Sequence, residues 1–136
     1  MSYDLYVESD RERSDHRTLG DVVDFLARVQ HVRGSGASWC FEDPARDRHM
    51  EIDLEWEEGG ESWGCTRDLD EAKWPDARFN VINLHVPYAC IHSNADDDAY
   101  FELALALAAL LGWRVYDAQL DRHLVPGARL PRARSI

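Results

Sequence analysis

A chain of 136 residues, 45% of them apolar and 10% aromatic, is long and apolar enough to bury one domain core, which excludes disorder throughout. Fifteen basic against 26 acidic residues leave a formal net charge of −11, which disfavours nucleic acid as a partner and favours a basic protein. The charge is uneven, because Arg122, Arg129, Arg132 and Arg134 follow the last acid.

Tyr3-Asp4-Leu5-Tyr6-Val7 alternates with a period of two and reads as a strand, with Tyr3, Leu5 and Val7 on one face. Asp10 to Arg17 is charged and aperiodic, a loop. Thr18 followed by Asp21 resembles a capping box, and Leu19, Val22, Val23, Leu26 and Val29 then recur at helical spacing before Gly34. Asp24 and Arg28 on the outward side are spaced to pair. Gly34-Ser35-Gly36 reads as a flexible connection into a strand from Ser38 to Glu42, which Asp43-Pro44 ends.

The clearest alternation follows. Met50, Ile52, Leu54 and Trp56 point one way, and Glu51, Asp53, Glu55 and Glu57 point the other. One face is expected to be core and the other a ladder of carboxylates, continued by Glu58 and Glu61. Glu58 to Arg78 lacks strong periodicity and is longer than most connections in compact domains, so it is read as a loop bracketed by Trp63 and Trp74. Phe79 to Tyr88 is the next strand, with Ile82, Leu84, Val86 and Tyr88 inward and Asn83 and His85 outward.

Asn94 or Ser93 is placed to cap a helix whose first turn holds Asp96, Asp97 and Asp98. Tyr100, Leu103, Leu107, Leu110 and Leu111, widened by Phe101 and Leu105, leave only Asp98, Glu102, Ala106 and Ala109 for water. Gly112 suits a left-handed cap, and Trp113 to Leu120 reads as the last strand. The order β-α-β-β-β-α-β predicts an α+β fold. It is a two-layer sandwich in which two helices cover one face of a mainly antiparallel sheet and the other face meets water. The domain is expected over residues 1–124, and the Arg- and Pro-containing tail, 125–136, is expected to be weakly ordered.

Three cysteines, Cys40, Cys65 and Cys90, match neither a disulfide framework nor a CxxC motif and fit reduced thiols in the cytoplasm. No secretory signal is visible at Met1-Ser2-Tyr3-Asp4, and no apolar run is long enough to span a membrane. His85, Cys90, His92 and Asp96 share a segment, but their spacing is not that of helical zinc sites, so no metal or other cofactor is assigned. Nucleophile motifs and phosphate-binding glycine loops are absent, and the chain is read as a binding protein rather than an enzyme.

Tyr3 to Val7, Asn80 to Tyr88 and Leu111 to Gln119 together resemble small acidic bacterial proteins of the immunity type, a likeness of layout over most of residues 3–120. That resemblance implies a cytoplasmic protein that neutralises a toxin delivered between competing cells. The surface expected to meet such a partner is Glu51, Asp53, Glu55, Glu57 and Glu61 for charge, Trp63 and Trp74 as apolar anchors, and Asn83 and His85 as hydrogen-bonding neighbours. Two other readings stand beside it: a small metal-dependent hydrolase using His85 and His92, and a homo-oligomeric structural protein, such as a homodimer, that buries excess helix surface between subunits.

Overall fold

A computed structural model describes residues 2–58, 61–64, 77–91 and 98–125, with only the backbone of 61–64 and 98. Within them, two helices pack on one mainly antiparallel sheet, the α+β sandwich that the alternation predicts. Central to the sheet are β1 (Ser2–Glu8), β8 (Val81–Pro87) and β5 (Arg48–Glu58). Beyond β5 come β4 (Ser38–Asp43) and β3 (Val32–Ser35), and beyond β1 come β9 (Arg114–Asp117) and β10 (Arg122–His123). β6 (Glu61–Gly64) pairs with the far end of β5, and β2 (Arg17–Thr18) pairs with β7 (Arg78–Phe79) in a separate ladder.

Most of the predicted inward residues of the strands are core. Leu5, Val7, Met50, Ile52, Leu54, Ile82, Leu84 and Val115 are fully buried, and each contributes on the order of 2 kcal/mol through the water it sheds. Helix α1 (Gly20–Arg28) adds Val22 and Leu26, while α2 (Asp98–Leu111) adds Tyr100, Phe101, Ala104 and Leu107 to the same cluster. Ring contacts of Tyr3 with Phe101 and of Phe41 with Tyr100 tie α2 to both halves of the sheet.

Both helix ends follow their local chemistry. The Asp21 carboxylate accepts the Thr18 backbone N–H at 3.0 Å and its hydroxyl at 3.1 Å, holding the turn into α1. Gly112, at φ 71°, lets the N–H of Trp113 reach the Ala108 carbonyl at 2.9 Å and close α2. The proposed caps Ser93 and Asn94, with Asp96 and Asp97, lie outside the described residues.

Several expectations are corrected. Helix α1 stops at Arg28, and Val32–Ser35, expected to lie in the approach and flexible link to the next strand, is the sheet-edge strand β3. Gly34 is required there because a Cβ would lie 2.4 Å from the Ser38 carbonyl oxygen. Arg28 bonds the Asp24 backbone carbonyl rather than its carboxylate. Asn80 breaks the Phe79–Tyr88 strand, turning its side chain to both the N–H and the carbonyl of Glu57, each at 2.8 Å. Tyr88 and Leu110, expected inward, are each 44% exposed. Trp56 is only partly buried, against the His16 ring, because β5 there runs on with β6 past the main core. The strand expected over Trp113 to Leu120 is β9 and ends at Asp117, whose buried carboxylate gathers Tyr3, Arg122 and the turn amides of Gln119 and Leu120, and β10 follows the turn. The tail from residue 126 onward lies outside the described residues.

Candidate protein-binding face

The face of the sheet away from the helices presents its side chains in rows set by strand register. One row runs Asp4, His85, Glu51, Cys40 and Arg33 across β1, β8, β5, β4 and β3. The next runs Tyr6, Asn83, Asp53 and Ser38. Alternation along β5 therefore places Glu51, Asp53 and Glu55 on one rigid surface, as predicted from the sequence.

Their surroundings differ. Glu51 is exposed, opposite His85, whose Nδ1 lies 2.7 Å from a carboxylate oxygen of Asp4. Asp53 is half-buried, and burial first, then the charges of Glu55 and Glu51, hold its carboxyl above the ordinary value, opposed by His85 and a hydrogen bond from Ser38. Glu55 accepts the Asn83 amide N–H at 2.7 Å. Glu57 is paired with Arg13, and Glu58 accepts the Trp56 indole N–H at 3.2 Å.

Asn83 is only 7% exposed and spends a donor on Glu55, so it shapes the ladder from beneath. His85 stays partly exposed. Glu61 and Trp63 lie on β6, where Trp63 pairs through its backbone with Trp56 and Glu61 with Glu58, their side chains being outside the description. Trp74 and His92 also lie outside the described residues. Among those described, no three His, Cys, Asp or Glu side chains are placed to hold a metal ion.

Sequence reasoning did not foresee that the loop after β1 returns over one end of this face. Arg13 contacts Glu8 and Glu57, lies 5.5 Å from the centre of the Tyr6 ring, and sits beside Asn80, so Val81 on the outer side is buried. An aperiodic loop carries no signal for contacts so distant along the chain. Among the described residues, Glu51, Asp53 and Glu55 are the β5 acids on this face that Arg13 does not pair, Glu51 exposed and the other two partly buried.

No helix among the described residues is long and apolar enough to cross a membrane. No protein-family model matches the chain, and neither does any curated protein or solved structure.

Proposed function

We propose that this chain is an immunity-type protein that neutralises a cognate toxin enzyme, meeting a basic surface of that enzyme with its acidic sheet face. The observation that carries the reading is the ladder of Glu51, Asp53 and Glu55, held on one stiff strand where burial first and then the neighbouring acids disfavour the Asp53 charge. Fixed carboxylates on a body of net charge −11 raise the rate of encounter with a basic partner and oppose docking of an acidic one. His85 and Asp4 border the ladder and supply hydrogen-bonding groups at its rim. An active site built to hold phosphates is one surface with the complementary charge.

The test is affinity capture of a basic protein from the native cell, followed by stopped-flow association. Glu51→Lys combined with Asp53→Lys leaves the Glu55–Asn83 bond in place and is expected to slow association by about tenfold or more at low salt. The wild-type rate should fall steeply with ionic strength and the variant's rate should not. Unchanged association with a captured partner would remove this face from the interface.

A further inference from the structure

The other side of the same face is built differently. Tyr6 on β1 stands opposite Tyr116 on β9, which in turn faces His123 on β10, and Glu8 stands opposite Arg114. With Arg11 and Arg13 from the loop after β1, these side chains surround a pocket of about 530 Å³. That volume is within the usual range for small-molecule sites.

Two of its three acids are paired with arginine. Glu8, with a side chain only 6% exposed, receives Nε of Arg13 at 3.2 Å and Nη2 of Arg114 at 3.3 Å. Glu57 is paired with Arg13, and Asp121 accepts the Tyr116 hydroxyl at 2.6 Å. Donors remain in surplus. Arg11 is exposed, lies near enough to Tyr116 to act on it electrostatically and makes no hydrogen bond or ion pair with a described residue, and the buried Nε of Arg114 has no acceptor among the described residues. A guanidinium offers five N–H groups in a planar fork, a shape and charge that match the oxygens of a phosphate. Tyr116 and His123, with ring centres 5.5 Å apart, add flat apolar surface beside those donors.

We infer that this pocket binds the phosphate group of a small molecule, held by Arg11 and Arg114 beside the Tyr116 and His123 rings. In so acidic a protein the long-range field repels anions, so binding rests on short-range contacts that only a well-fitting ligand makes. The site is separate from the acidic ladder and does not depend on the toxin-neutralising reading.

Isothermal titration of the full chain with inorganic phosphate in a low-salt chloride buffer tests it. One saturable site is expected, weakened about tenfold by Arg11→Ala, which removes an exposed side chain and leaves the fold intact. Arg114→Lys keeps a positive charge near Glu8 but loses the fork, and should weaken phosphate by a similar factor. AMP and adenosine distinguish the source of the phosphate. AMP binding more tightly than phosphate indicates a phosphate ester, AMP binding no better indicates free phosphate, and either supports the anion site. Adenosine binding as tightly as AMP would overturn it, as would no saturable phosphate binding up to about 20 mM or binding unchanged in both arginine variants.

Discussion

On the β1–β9 side of the outer face, Glu8 is almost enclosed between the guanidinium groups of Arg13 and Arg114, whereas on β5 Glu51 stands in solvent with a histidine opposite. The contrast separates two uses of a carboxylate. Where charge is balanced at contact, the acid holds a loop to the sheet. Where an acid is half-buried among other acids, as Asp53 is, burial first and then its neighbours make the charge cost stability, and the proposed partner is what would use that charge.

The sharpest way to break this contrast is to truncate one acid from each side. Glu8→Ala leaves two guanidinium groups without their shared acceptor in a nearly buried setting and is expected to cost about 3 kcal/mol in urea unfolding. Glu51→Ala at an exposed position should shift stability by less than about 0.5 kcal/mol. Equal losses at the two positions would show that the halves are not energetically distinct.

A smaller effect is expected from adding charge where it already crowds. Asn83→Asp replaces a buried donor 2.7 Å from Glu55 with a further carboxylate between Asp53 and Glu55. The loss should be about 2 kcal/mol at pH 7 and should shrink in titrations toward about pH 4, where carboxyls begin to share protons. A loss independent of pH would point to shape rather than charge.

Period-two alternation made the inner face legible, because strands β1, β5 and β8 bury one side over most of their length and a slip of one residue would reverse every side chain. It placed Glu51, Asp53 and Glu55 on the outside for the same reason. Short strands were not legible: β3 is four residues at the edge of the sheet, mostly exposed, with a glycine where backbones approach closely, so no hydrophobic pattern marks it. The arginine-lined pocket was also hidden. Glu8, Arg13, Glu57 and Arg114 come together only after β1 and β9 pair and the loop folds back, and nothing in local spacing encodes contacts across more than a hundred residues.

Asp53→Asn makes the finest test, because it removes charge from the acidic side without adding bulk. Burial and the neighbouring acids hold the Asp53 carboxyl above its ordinary value of 3.8, so the folded protein keeps this proton more readily than the unfolded chain. Below the ordinary value both states are protonated and the penalty is absent. It sets in as pH rises through 3.8 and is complete above the raised folded value, so at pH 7 the ionised side chain destabilises the fold. Asp53→Asn should therefore raise the melting temperature at pH 7, and the gain should vanish in acid below the ordinary carboxylate value. Because the group is half exposed, the rise should be smaller than the two effects above and should shrink further as salt screens Glu51 and Glu55. If Asp53→Asn instead lowers the melting temperature at every pH, the Ser38 hydrogen bond outweighs the repulsion. The ladder would then stabilise the strand, and the physical reason for assigning it to a partner would be gone.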